Sequence, residues 1–152
     1  MVSLNKLTIN NLLQDKNKVL WIVLNVDKTK NTLICKTLDN KKEQVKEFTP
    51  ELLEYVTLNK YWLRRFRFTY GLKSGGQKMA DTGWFSPTVA SKRTNIYKIT
   101  LHKLDQGGFC LTHYNLSEYD FYYVHELQNY LKILAGKEPK FLSEDMKRYV
   151  KI

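Results

Sequence analysis

The sequence predicts an α+β fold in which an antiparallel sheet of five to six strands has helices packed on one face. Two observations support this prediction. Short runs of β-branched and aromatic residues alternate with polar turns. Two other segments combine a helix-capping residue with apolar residues at three- and four-residue spacing. Three strands followed by a helix occur twice, which indicates two βββα units without residue-level identity between them.

The first half of the chain contains three predicted strands and two short predicted helices. Residues 1–17 open with a helix capped by Ser3. Thr49 and Pro50 begin a second helix, because a hydroxyl cap and a first-turn proline both favour helix initiation. Charged residues around Val45 indicate that the third strand lies at a sheet edge. The predicted strands are 18–26, 32–38 and 43–48.

The second half repeats this order of elements. The predicted strands are 61–70, 96–104 and 109–116, and the last two form a hairpin around Gly107 and Gly108. In the first of them, a period of two places Phe66, Phe68 and Tyr70 on one face and Arg65 and Arg67 on the other. Ser117 and Asp120 resemble a capping box and begin a helix from 118, which ends at Gly136; its apolar positions are Phe121, Val124, Leu127 (or Gln128), Leu131 and Leu134.

Residues 71–95 are predicted to form a long irregular loop, since they combine weak periodicity with four glycines and one proline. Such loops in a compact domain are typically functional or disordered. The predicted tip contains two large rings, Trp84 and Phe85, which suit a contact surface better than a merely solvated loop. With 152 residues, the chain is predicted to be a single domain over 1–152 with a C-terminal tail at 137–152.

Composition excludes several classes of protein. The longest apolar run, Val19 to Leu24, is far shorter than the roughly 20 residues that span a bilayer, so no membrane partner is expected. Residues 1–11 lack the features of a signal peptide. Cys35 and Cys110 are expected to be reduced thiols in the cytoplasm. The lysine-rich, asparagine-rich composition indicates an AT-rich genome such as that of a phage or mobile element, for which a virion location is the alternative.

Positive charge is concentrated in the middle of the chain. Residues 60–103 contain ten basic side chains and one acidic one, Asp81, and so hold +9 of the formal net charge of +10. Aromatic residues are interleaved with these cations, which is typical of proteins that bind phosphates and stack on unpaired bases. The predicted nucleic-acid contacts are the cations Arg64, Arg65, Arg67, Lys73, Lys78, Lys92, Arg93 and Lys98 and the rings of Trp84 and Phe85.

No motif identifies a reaction or a cofactor. Gly71 and Gly76 have the spacing of a phosphate-binding loop, but the residues that follow do not complete the motif. His102 and His113 are brought near each other by the predicted hairpin, yet the chain lacks a zinc-like spacing of cysteines and histidines. No metal, cofactor or catalytic residue is therefore assigned. Nuclease activity that uses Asp81 stays open as a third alternative.

Two classes of function remain. The first is a non-enzymatic module that binds single-stranded DNA or RNA through residues 60–103. The second is a small structural subunit of a larger assembly, a virion or a mobile-element complex, whose 71–95 loop docks on an acidic protein partner or another copy of the chain. Co-purifying nucleic acid favours the first, and a stoichiometric protein partner favours the second.

Overall fold

The computed structural model describes residues 1–72, 82–85, 89–90, 96–97, 100–112 and 119–136, and the chain divides into two compact units. The first unit contains residues 1–57 and 123–130, and the second contains 58–122 and 131–152. The described residues form mainly antiparallel strands together with helix, which confirms the predicted α+β class. The packing of helices on one face and the single domain over 1–152 stay predictions.

Five described strands belong to the first unit: β1 (Leu12–Asp15), β2 (Leu20–Asp27), β3 (Thr32–Thr37), β4 (Val45–Phe48) and β5 (Leu53–Tyr55). They form one antiparallel sheet in the order β4-β3-β2-β1-β5. The strands predicted at 18–26, 32–38 and 43–48 are thereby confirmed as β2, β3 and β4. The predicted edge position of β4 is also confirmed, because this strand ends the sheet.

One face of this sheet is the hydrophobic core of the first unit. Trp21 and Val23 on β2, and Leu33 and Cys35 on β3, are buried at alternate positions, as the period of a strand requires. The rings of Trp21 and Phe48 meet edge to face with centroids 4.7 Å apart. Three apolar residues that precede the sheet complete the same cluster: Val2, Leu4 and Leu7.

A helix, α2 (Val124–Ala135), is joined to the chain around β1 by side-chain amides. Gln128 is 3% exposed, and its side chain accepts from the N–H of Leu12 at 2.9 Å and donates to the C=O of Asn10 at 3.0 Å. Asn129 accepts from the side chain of Asn11 at 2.8 Å. The side-chain amide of Gln128 therefore forms the hydrogen bonds with Leu12 and Asn10 that the backbone of a neighbouring strand would otherwise form.

The described part of the second unit contains a short helix, α1 (Lys60–Arg65), and seven strands: β6 (Thr69–Leu72), β7 (Thr82–Phe85), β8 (Val89–Ala90), β9 (Ile96–Tyr97), β10 (Thr100–Lys103), β11 (Phe109–Thr112) and β12 (Tyr119–Phe121). Five of them form an antiparallel sheet in the order β12-β11-β10-β7-β6, and β8 pairs with β9. The predicted hairpin is confirmed in shorter form as β10 and β11, with positive φ at Gly107 and Gly108.

The strand predicted at 61–70 is wrong over most of its length, because α1 occupies this segment. Trp62, Leu63 and Phe66 are buried at helical spacing. Asn59 caps the helix, since its side chain accepts from the N–H of Trp62 at 3.2 Å. The predicted two-residue alternation placed Trp62 and Arg64 on the face of Phe66, and it overlooked that Trp62 and Phe66 are also one helical turn apart. Strand structure begins only with β6.

The helices predicted at 1–17 and from Pro50 begin where expected, after Ser3 and Thr49, but each is a single 3₁₀ turn and not an α-helix. In each case a 3₁₀ segment of three residues, Leu4–Lys6 or Pro50–Leu52, precedes a strand. The two strands that follow, β1 and β5, pair with each other, and this tertiary pairing overrides the local helix signals. Because the segment from Pro50 continues into β5 and not into an α-helix, the first of the two predicted βββα units is not formed.

The helix predicted from 118 begins later than expected, at Val124. Asp120 lies in β12, so the predicted capping box of Ser117 and Asp120 is wrong. The helix α2 is capped by Glu126, whose carboxylate accepts from the N–H of Tyr123 at 3.1 Å. The predicted burial is confirmed for Val124, Leu127 and Leu131, and the predicted stop is confirmed at Gly136, where φ is +67°.

The long loop predicted at 71–95 contains strand. β7 and β8 fall within this range, whereas 73–81, 86–88 and 91–95 lie outside the described residues, as does the predicted tail at 137–152. No helix in the described ranges is long and apolar enough to cross a membrane.

Candidate nucleic-acid interface

The net charge is divided unequally between the two units. By sequence, the second unit carries 16 basic and seven acidic side chains, a net charge of +9. The first unit carries nine basic and eight acidic side chains, a net charge of +1. Nearly all of the excess positive charge therefore belongs to the second unit, and a polyanion is attracted mainly there.

Arg65 differs from the other predicted contacts because it is buried. Only 5% of its surface is exposed, and its guanidinium lies 4.8 Å from the ring centroid of Trp62 and 5.7 Å from that of Tyr61. The predicted placement of Arg65 and Arg67 on one strand face is wrong, since α1 buries Arg65 whereas Arg67 is exposed. The charge of Arg65 is stabilised by the aromatic faces, and the side chain is poorly placed to meet a phosphate.

The end of α1 holds an arginine in an unusual backbone conformation. Arg67 has φ of +67°, and its N–H donates to the C=O of Arg64 at 2.8 Å. The N–H of Phe68 donates to the C=O of Leu63 at 2.9 Å, which completes a Schellman motif. Glycine is usual where Arg67 stands, because a left-handed conformation costs other residues about 1–2 kcal/mol. The side chain of Arg67 is exposed and that of Arg64 is half-buried.

Tyr70 lies on β6, an edge strand of the second sheet, and exposes 62% of its surface. The sequence prediction grouped it with Phe66 and Phe68 on one face, and the structure separates them, since both phenylalanines are buried. Tyr119 is 55% exposed on β12, at the opposite edge of the same sheet. Neither tyrosine was among the nucleic-acid contacts predicted from the sequence. The polar residues next to each tyrosine in the sequence could have indicated that its ring is exposed.

Trp84 and Phe85 lie in β7, between two other strands, and their predicted place at the tip of an irregular loop is wrong. Trp84 is paired with Tyr70 and Leu101. Phe85 is paired with Thr69 and Thr100. Because successive strand positions alternate between faces, positions 84 and 85 belong to opposite faces of the sheet. A role for either residue in stacking stays a prediction.

The remaining predicted cations lie outside the described residues, and their contacts with nucleic acid stay predictions. These residues are Lys73, Lys78, Lys92, Arg93 and Lys98. Among the ten predicted contacts, the structure therefore brings together Arg64 and Arg67 at the end of α1.

Three residues that often bind metals or protons are neighbours across the second sheet. Cys110 on β11 is paired with His102 on β10 and with Asp120 on β12. No group of three or more His, Cys, Asp or Glu in the described part of the chain could hold a metal ion. The other two residues considered for chemistry, His113 and Asp81, lie outside that part.

Cys35 has the character of a structural thiol. It is fully buried on β3, and burial raises the pKa of its thiol to about 12. The neutral thiol therefore packs as a small apolar side chain at physiological pH. Both Cys35 and Cys110 are free.

His125 was expected, like the other two histidines, to lie on a strand surface; this expectation is wrong, because the residue is buried in α2. It is 2% exposed in the first turn of α2, and its ring stacks on Tyr55 with centroids 4.3 Å apart. Its Nδ1 has no hydrogen-bond partner among the described residues. Burial lowers the pKa of His125 to about 4, while the carboxylate of Glu126 acts in the opposite direction and Lys6 adds to the effect. The imidazole is therefore neutral at physiological pH.

Comparison with known proteins adds no relative: no family model, curated protein or solved structure matches the chain. The class that the fold defines is an α+β protein built mostly of antiparallel sheet.

Proposed function

We propose that the protein binds single-stranded nucleic acid through its second unit and catalyses no reaction. The observation that carries this proposal is the concentration of +9 of the +10 net charge in that unit. Self-repulsion among so many like charges opposes compact folding, and a bound polyanion relieves it. The first unit is almost neutral, so no comparable attraction of a polyanion is expected there.

The described side chains of the second unit supply both kinds of contact that a single strand requires. Arg64 and Arg67 offer guanidinium groups to phosphates, and Tyr70 offers an exposed ring to a base. Arg65 has no part in these contacts, because its guanidinium packs against Trp62.

The proposal places the protein in the cytoplasm, where free thiols such as Cys35 and Cys110 persist. A location in a virion belongs to the alternative function, in which the same positive unit docks on an acidic protein or on a second copy of the chain. Neither function calls for a cofactor.

The test is a titration of the purified, nuclease-treated protein with labelled oligonucleotides of about 16 nucleotides, followed by fluorescence anisotropy. Single-stranded DNA, single-stranded RNA and the matching duplex are compared between about 50 and about 200 mM salt. We expect the single strands to bind more tightly than the duplex. The logarithm of the binding constant should fall with the logarithm of salt concentration by about 0.7 for each phosphate contact.

Three results would overturn the proposal. The first is no binding of either single strand at the lowest salt concentration. The second is a duplex affinity equal to or above that of the single strands. The third is a complex of fixed stoichiometry with an acidic protein that survives nuclease treatment while oligonucleotides fail to compete, and this result would establish the docking function in its place.

A further inference from the structure

The two edges of the second sheet each expose a tyrosine, and the charged residues near these tyrosines in sequence are of opposite sign. Tyr70, on the edge strand β6, follows Arg64 and Arg67 in the chain. Tyr119, on the edge strand β12, stands between Glu118 and Asp120. A polyanion is therefore attracted to the edge formed by β6 and repelled from the edge formed by β12.

We propose that Tyr70 is the stacking platform for one base of the bound single strand, and that Arg64 and Arg67 hold the neighbouring phosphates. This inference rests on the proposed function and assigns its contact site to the β6 edge. It is independent of the predicted stacking by Trp84 and Phe85, which stays a prediction.

The local geometry suits a phosphate and a base of adjacent nucleotides. Tyr70 lies three positions after Arg67, so their backbones are at most about 10 Å apart. The N–H of Arg67 is bonded to the C=O of Arg64, which fixes the two arginines in one turn of chain. Tyr70 is 62% exposed at the end of the sheet, where a base can approach its ring.

The backbone of Arg67 permits a substitution that removes the side chain and keeps the helix end. The left-handed φ of +67° is a conformation that glycine adopts without strain, and the Schellman bonds at this position involve main-chain atoms alone. Glycine therefore retains the helix end and removes the guanidinium. The substitution Arg67→Gly separates binding from folding, which is unusual for a residue at a helix terminus.

The exposed ring of Tyr70 indicates which class of nucleic acid the site binds. A tyrosine face stacks on a base that is free of its partner strand, and every base offers such a face, so the site favours single strands without a strong sequence preference. Phosphate contacts by arginine carry no sequence information either. The inferred site thus serves general binding along a strand.

The experiment compares four variants with the wild type in the anisotropy titration with single-stranded DNA. Tyr70→Leu, which keeps apolar bulk and removes the ring, should lower affinity about tenfold with an unchanged salt slope, whereas Tyr70→Trp should retain affinity. Arg67→Gly should lower affinity and reduce the salt slope by about 0.7, the share of one phosphate. Tyr119→Leu is the matched control, a tyrosine of similar exposure at the acidic edge, and should bind as the wild type does.

Circular dichroism of each variant confirms that the fold is retained, and the exposure of the substituted side chains makes this the expected result. Wild-type binding together with unchanged affinity of both Tyr70→Leu and Arg67→Gly would overturn this inference and leave the proposed function standing. An equal loss in Tyr70→Leu and Tyr119→Leu would also overturn it, because the two edges would then be equivalent. Failure of the wild type to bind any single strand would overturn both proposals together.

Discussion

Replacement of Gln128 by alanine tests whether one side-chain amide holds α2 against the chain around β1. The amide accepts from the N–H of Leu12 and donates to the C=O of Asn10, and both Gln128 and Leu12 are buried. Alanine preserves the helix, since it is the best helix former. It removes both hydrogen bonds and leaves the N–H of Leu12 in the interior without an acceptor.

The magnitude follows from the different surroundings of the two backbone groups. A buried N–H that loses its acceptor costs about 1–3 kcal/mol, and Leu12 is fully buried. Asn10 is exposed, so water can replace the bond to its C=O, and the loss there is about 1 kcal/mol. We expect Gln128→Ala to lower the free energy of unfolding by about 2–4 kcal/mol.

Urea unfolding followed by circular dichroism measures this change, and amide hydrogen exchange locates it. Exchange of the Leu12 N–H should accelerate more than that of amides elsewhere in the first sheet. The matched control is Gln14→Ala on β1, where the side chain donates to Glu54 at 3.4 Å on the exposed side and the expected change is below about 0.5 kcal/mol. A loss for Gln128→Ala no larger than for this control would refute the reasoning.

Two further predictions concern the pH dependence of stability and the β10–β11 hairpin. The pKa of His125 is lowered to about 4 in the folded state, so the unfolded state takes up the proton first as the pH falls, and stability present above about pH 6.5 is lost toward pH 4. Between about pH 7 and pH 5 the wild type should lose about 2 kcal/mol by urea unfolding, and His125→Phe, which keeps a ring beside Tyr55, should lose less; equal losses would contradict the assignment. Gly108→Ala should be less stable than Gly107→Ala by about 1–3 kcal/mol, because both positions have positive φ but a Cβ at Gly108 would lie 2.8 Å from the C=O oxygen of Phe121, whereas at Gly107 it meets nothing within 4 Å. Equal melting temperatures of the two glycine variants would show that this close approach is relieved by small shifts.

The first sheet was largely predictable because its strands are marked by local patterns. Alternate burial of Trp21 and Val23 on β2, and of Leu33 and Cys35 on β3, follows from a period of two that the sequence displays. The edge position of β4 was predictable from the charged residues around Val45. The end of α2 was predictable from Gly136, since a left-handed conformation favours glycine.

The elements that were predicted wrongly from the sequence are short, and tertiary contacts determine whether such segments become helix or strand. α1 contains six residues, too few for apolar periodicity to separate helix from strand, and the cap at Asn59 was the decisive signal. The segment after Pro50 has a good helix start, yet its residues become β5 because β1 offers a pairing partner. Propensity is a weak guide at such lengths.

The candidate site was predictable in its charge and unpredictable in its detail. The positive middle of the chain is evident from composition, and it coincides largely with the second compact unit. The burial of Arg65 could not be foreseen, because arginine is rarely buried and the packing of its guanidinium on Trp62 depends on the helical turn between them. The exposure of Tyr70 likewise depends on its place in an edge strand.

The bonds between Gln128 and the backbone around β1 also have a consequence for biosynthesis. The two bonds join residues that are 116 and 118 positions apart in the chain, and all strands of the second sheet lie between these residues in sequence. During translation the five strands of the first sheet emerge early but must wait for residue 128 before the amide of Leu12 finds its acceptor. Contacts over such sequence distances slow folding. The first sheet is thus made early, whereas α2, which supplies the acceptor for Leu12, is the last of the described elements to be made.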